Sequence, residues 1–132
     1  MTSFHQMLIA CVAAVGVLGG GQLAEATQKA DPAGKEACIK ACNECLRACR
    51  ECLVGCECPT CKKSCLTCIE TCRTCVALME FDSPFADKMC EICEAVCEQC
   101  ADECTKCGDM PCCKKCAEAC RKCHDACEAM AH

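Results

Sequence analysis

Between Cys38 and Cys56 the chain returns to cysteine at Cys38, Cys42, Cys45, Cys49, Cys52 and Cys56, in steps of four, three, four, three and four. These are the a and d positions of a heptad, the seam a helix turns toward its partners. Such a seam ordinarily carries Leu, Ile or Val; here every position is a thiol. The rhythm returns in Cys61, Cys65, Cys68, Cys72 and Cys75, in Cys90, Cys93, Cys97, Cys100, Cys104 and Cys107, and in Cys113, Cys116, Cys120, Cys123 and Cys127. Cys58 and Cys112 sit beside turns, and Cys11 stands apart, completing 25 cysteines in 132 residues.

The breaks between the stripes predict four helices. Asp31 and Pro32 pair an N-cap with a first-turn proline, and the first helix runs on to about Gly55, roughly 22 residues and 33 Å at 1.5 Å per residue. A turn at 55–60 containing Pro59 leads into a second helix over Thr60 to Glu80. Phe81-Asp82-Ser83-Pro84-Phe85 interrupts the pattern, with Ser83 and Pro84 as a second cap and first-position pair opening a helix that ends at Cys107. Gly108 suits a left-handed C-cap, and Asp109-Met110-Pro111 opens the fourth helix, to about Met130. Ile39, Leu46 and Leu53 follow seam cysteines, and Leu66, Ile69 and Val76 accompany the second stripe. The first three are expected to pack between helices, with Lys40, Glu44, Arg47, Arg50 and Glu51 on the wet face.

A shift of 55 residues carries ten cysteines, Cys38 to Cys72, onto ten others, Cys93 to Cys127, across two helices and the turn between them. The unit is a helical hairpin that occurs twice. Short turns make neighbouring helices antiparallel, and one hairpin cannot bury its seam on all sides, so the expectation is all-α: an antiparallel four-helix bundle with a cysteine-lined core.

Before the first stripe, Met7 to Leu18 is an apolar run followed by three glycines and then Ala24-Glu25-Ala26, the small-x-small pattern of a signal-peptidase site. The run is short of the roughly 20 residues that a spanning helix needs, so no stable membrane insertion is expected. Residues 1–26 read as an export signal and 27–132 as the bundle, placing the chain in the periplasm or beyond; without cleavage, 1–26 would be an extra N-terminal helix on a cytoplasmic protein. No Lys or Arg precedes Lys29, which departs from the usual signal, and Leu8-Ile9-Ala10-Cys11 precedes most of the apolar run, which argues against a lipid anchor. The net charge of −5, with no basic block and no Trp or Tyr, argues against nucleic-acid binding.

Four uses of the thiols compete. As plain core residues they would be inferior to leucine, at about 0.8 kcal/mol per buried CH₂. A disulfide framework suits an even set in an exported chain, but cysteines three or four apart on one helix point the same way and fit bridge geometry poorly. Zinc takes closed sets of four, and iron–sulfur motifs use short local runs; neither calls for a continuous stripe. Cu(I) is soft, prefers thiolate and accepts two or three sulfurs, which a sulfur-lined tube offers along its length. Neutral thiols can line the empty core, and each arriving cation displaces protons and offsets thiolate charge.

The heptad cysteines, with Asp82-Ser83-Pro84-Phe85 leading into Met89-Cys90-Glu91-Ile92-Cys93 and with Cys116-Ala117-Glu118-Ala119-Cys120, resemble the bacterial copper storage proteins over residues 36–131. The resemblance implies a bundle filled with multiple Cu(I) ions by inward-pointing cysteines, in a family with exported and cytosolic members. The expected ligands are the 24 seam and turn cysteines. The resemblance also implies a mouth at one end, lined in relatives by His or Met. Here the 55–60 and 108–112 turns carry no His but Cys56, Cys58, Met110 and Cys112, so Met110 is the candidate first contact. Phe81, Phe85, Met79, Met89 and Met130 are expected to plug the opposite end, and His5, His124 and His132 to be solvated. The partners expected are copper ions and a copper donor or acceptor protein, with homo-oligomerisation left open. No nucleophile–base pair, phosphate loop or paired-carboxylate signature suggests catalysis. A thiol redox or disulfide-buffering protein, or one binding zinc or another soft metal, remains the alternative.

Overall fold

The computed structural model describes residues 32–132; the Asp31 cap, Cys11, His5 and the 1–26 segment lie outside the described residues. Among the described residues four helices follow in order: α1 Pro32–Gly55, α2 Pro59–Glu80, α3 Ala86–Lys106 and α4 Pro111–Ala131. Each helix packs on two others in the ring α1–α2–α3–α4, and diagonal helices do not touch through their backbones. The short 56–58 and 107–110 links put two turns at one end, and the 81–85 turn lies at the other. No described helix is long and apolar enough to cross a membrane.

The helix starts follow the prolines. Pro59 and Pro111 stand in the first turns of α2 and α4, where the N–H that proline lacks would have had no helical partner. Gly108 adopts φ 81°, the left-handed conformation that reverses the chain after α3.

The α2–α3 turn departs from expectation. Helix α3 begins at Ala86, three residues after Ser83. The intervening residues are held by the end of α2: Ser83 N–H bonds Leu78 O at 2.9 Å and Asp82 N–H bonds Met79 O at 3.2 Å. This pair of bonds is a Schellman motif, with Asp82 in its left-handed position at φ 51°. Ser83 still acts as a cap, but on a tight turn ahead of the helix, its hydroxyl accepting the Phe85 N–H at 3.2 Å. Lys35, in the first turns of α1, pairs with Asp82 and ties the start of α1 to this turn.

The core is sulfur. Twenty-one of the described cysteines are buried, joined by Ile69, Met79 and the small residues Ala48, Ala101 and Ala117. Ile39, Leu46 and Leu53 pack half-buried against them as expected, and Val76 packs there too. Leu66 does not; it is 55% exposed. The aromatic plug is also absent: Phe81 and Phe85 are 76% and 69% exposed, because the Schellman turn swings them outward. Met79, buried at 2% exposure, closes that end instead, with Met89 and Met130 half-buried beside the core.

Candidate metal centre

The inward thiols stack in layers, each helix supplying one sulfur per layer. At the turn end, Cys52 Sγ lies 3.7 Å from Cys61 and 3.8 Å from Cys113, and Cys61 lies 3.5 Å from Cys104. Next come Cys49, Cys65, Cys100 and Cys116, linked by Cys49–Cys116 at 3.6 Å and Cys65–Cys116 at 3.8 Å. Cys45, Cys68, Cys97 and Cys120 follow, with Cys45–Cys68 at 3.5 Å, Cys45–Cys120 at 3.6 Å and Cys68–Cys97 at 3.8 Å. Then Cys42, Cys72, Cys93 and Cys123 join through Cys42–Cys123 at 3.5 Å and Cys72–Cys93 at 3.8 Å. Cys38 pairs with Cys127 at 3.7 Å and Cys75 with Cys90 at 3.6 Å to complete the last layer.

These distances are van der Waals contacts, far from a disulfide's S–S bond of about 2.05 Å, and all 24 described cysteines are free. Some reach across the diagonal, as Cys49–Cys100 and Cys72–Cys123 do at 4.0 Å. The helices are therefore drawn in until sulfurs touch through the bundle axis. Ala48, Ala101 and Ala117 make this close approach possible beside the Cys49 layer, each adjacent in sequence to one of its cysteines. Sequence reasoning passed over them; their signal was a small residue next to a seam position on three of the helices.

The layers also set the register of the repeat. Cys52 shares its layer with Cys104 and Cys61 shares it with Cys113, both 52 apart, while Cys42 with Cys93 and Cys72 with Cys123 are 51 apart. The hairpins match at 51 or 52 residues, as Pro59 and Pro111 also do, rather than at 55. A stripe that steps by three and four overlays itself again after one further step, so cysteine spacing alone leaves this open.

Four-sulfur sets lie throughout the column with all their sulfurs within 4.8 Å of one another, and they overlap. Cys45 belongs to the set with Cys49, Cys68 and Cys120 and also to that with Cys72, Cys97 and Cys123; Cys42, Cys49 and Cys93 are likewise shared. The arrangement offers bridging thiolates over a continuous column rather than separate closed sites.

The remaining expected ligands, Cys56, Cys58, Cys107 and Cys112, gather at the turn end with Met110. Cys56 is buried, the other three cysteines are half-buried, and Met110 is 37% exposed at the N-cap of α4. Acidity divides this group. Burial pushes Cys113 up to about 12, with the Cys56 thiol adding to the effect, and burial with the Cys58 thiol raises Cys107. Cys58 is lowered, chiefly by the Cys61 backbone N–H at the start of α2, then by the Cys107 thiol. Cys56 is pushed up by burial yet ends lowered, because the Cys58 N–H donates to its sulfur at 3.3 Å and neighbouring thiols add to this. Deeper in, Cys52 is raised by burial and by the charges of Cys65 and Cys116. Thiolate is thus favoured at two positions of the rim, next to Cys52 and Cys113, where it is disfavoured.

The two described histidines stand outside the column. His132 pairs with Glu94 at 3.4 Å and is largely exposed, as expected. His124 is not simply solvated: its Nδ1 lies 3.2 Å from Glu94 O, linking α4 to α3.

A four-helix bundle with touching thiols along its whole axis defines a class of helical proteins that hold many thiophilic metal ions in one interior. A sequence model described as copper storage protein matches residues 31–132, and the chain belongs to the copper storage protein family. Among solved structures, apo-Csp3 (copper storage protein 3) from Bacillus subtilis is 38% identical, with a TM-score of 0.71 over 74% of this chain and 98% of that one. The Cu(I)-bound copper storage protein BsCsp3 is 37% identical, with a TM-score of 0.70 over 75% of this chain and 99% of that one. No curated protein matches.

Proposed function

We propose that this protein stores copper as Cu(I), held by Cys38, Cys42, Cys45, Cys49, Cys52, Cys61, Cys65, Cys68, Cys72, Cys75, Cys90, Cys93, Cys97, Cys100, Cys104, Cys113, Cys116, Cys120, Cys123 and Cys127 in the layers and by Cys56, Cys58, Cys107 and Cys112 at the turn end. The observation that carries the reading is the overlap of the four-sulfur sets. Zinc favours an isolated tetrahedron, whereas Cu(I) accepts two or three sulfurs and tolerates shared thiolates. The likeness to a relative described as Cu(I)-bound supports the same choice.

Copper enters at the turn end on this reading, where Met110, a weak thioether donor, makes first contact and Cys58 and Cys112 pass the ion inward. A copper donor or acceptor protein meets the bundle there. Residues 1–26 serve as an export signal, a reading supported by the Met7–Leu18 run and Ala24-Glu25-Ala26; the mature protein then begins at or near Thr27, which N-terminal sequencing checks. The deciding experiment for storage is anaerobic Cu(I) titration of the reduced protein against a competing chelator. Many ions should bind per chain, well beyond what one or two closed sites hold; saturation after one or two would overturn the reading.

A further inference from the structure

Four of the described thiols stand outside the layers, and access separates three of them from the rest. Layer cysteines are at most 1% exposed, whereas Cys58, Cys107 and Cys112 are half-buried at the turn end. Their positions are built into the turns. Cys58 is the N-cap of α2 and Cys107 the C-cap of α3, each three residues outward from Cys61 and Cys104, whose sulfurs touch at 3.5 Å. Cys112 lies against the end of α1, where a methyl on Gly55 would come within 3.0 Å of its sulfur. Cys56 sits beneath, its sulfur accepting the Cys58 N–H.

The column behind this rim suits only one oxidation state. Cu(II) prefers nitrogen and oxygen ligands in a tetragonal array, and the layers offer sulfur alone. Worse, Cu(II) oxidises thiols, and sulfurs 3.5–4.0 Å apart are close enough to be coupled by it. Each coupling inside the column would remove two ligands.

We propose that Cys58 and Cys107 form a reducing site for Cu(II) at the rim of the bundle. Two Cu(II) ions each accept one electron. The two thiols lose two protons to solvent and two electrons to copper, and one S–S bond forms between their sulfurs. Two Cu(I) ions result at the rim, where Cys112 passes them inward while Cys58 is held in the bridge. The step is stoichiometric: each pair acts once until an external dithiol reduces the bridge. It rests on the storage reading but assigns the rim pair a separate chemistry, electron donation before capture.

The test adds copper(II) sulfate, two ions per chain, to the reduced, metal-free protein without oxygen. Bathocuproine disulfonate reports Cu(I), and peptide mass mapping locates disulfides. The expected result is one disulfide joining Cys58 to Cys107 per two Cu(I), with the layer cysteines still free. A Cys58→Ser, Cys107→Ser double variant should reduce Cu(II) about tenfold more slowly, since the rim then keeps only the single half-buried thiol of Cys112, while added Cu(I) still fills the layers and only the share held by the two removed thiols is lost. Disulfides scattered through the layers of the unaltered protein, or an unchanged rate in the variant, would overturn the proposal. Failure of both proteins to take up Cu(I) would instead refute storage, so the two readings fail separately.

Discussion

Sulfur is small, and the bundle is drawn to its radius. With thiols in contact at 3.5–4.0 Å, the core has traded leucine's larger burial for close helices. Leucine is therefore no longer the better residue in place. Cys45→Leu is expected to lower the stability of the metal-free protein by about 1–3 kcal/mol through overpacking, measured by urea unfolding of the reduced protein. His124 offers a second test. The Glu94 carbonyl raises its pKa above the ordinary value, with the Glu94 and Glu128 charges adding and burial opposing. The fold thus favours the protonated ring, so its stabilisation is fully present below the ordinary imidazole range and is lost as pH rises through the raised value. His124→Ala should lower the melting temperature more at about pH 5.5 than at about pH 8. At this scale the inward direction of the seam cysteines was legible, because their period matches the helix. The fates of Leu66, Phe81 and His124 were not, since each depends on which neighbour or turn stands opposite.

Among the elements, the α2–α3 turn is the least regular and the most informative. Asp82 sits left-handed at φ 51°, a conformation that costs an ordinary residue about 1–2 kcal/mol, and its exposed ion pair with Lys35 contributes at most about 1 kcal/mol. Asp82→Gly trades one for the other and should leave stability within about 1 kcal/mol of its starting value. Asp82→Val forfeits the pair and suffers the backbone strain more severely, so a loss of about 1–2 kcal/mol is expected. Thermal unfolding of both variants checks the pair of outcomes. Helix limits at Gly55, Glu80 and Pro111 were readable from glycine and proline. The start of α3 was not, because Ser83-Pro84 looks like a helix opening whether the next turn is tight or helical. Nor was the register of the second hairpin, where a stripe of identical residues carries no mark of its own phase.

At the scale of the whole molecule, the bundle has two unlike ends. Met79 closes one, and half-buried thiols with Met110 line the other. Replacing Met110, Cys58 and Cys112 together with Ser should slow Cu(I) loading and unloading in stopped-flow traces, while most of the capacity persists in the layers. The reduced, metal-free bundle should already be helical by circular dichroism at neutral pH, because protonated thiols pack as apolar groups; a coil that folds only on adding copper would contradict this. The antiparallel bundle and its sulfur lining were legible in the sequence, since four stripes joined by short turns leave few other ways to bury them. The close helix spacing was not, for it arises from all four stripes together. One consequence of the layering remains. Because each layer repeats the same plan and shares its sulfurs with the next, capacity is graduated along the axis as on a measuring cylinder. Seven more residues in every helix, about 10.5 Å of height, would add two marks to the scale. A partly filled bundle is then an ordinary reading on that scale, with no threshold at which the vessel must be full to hold its shape.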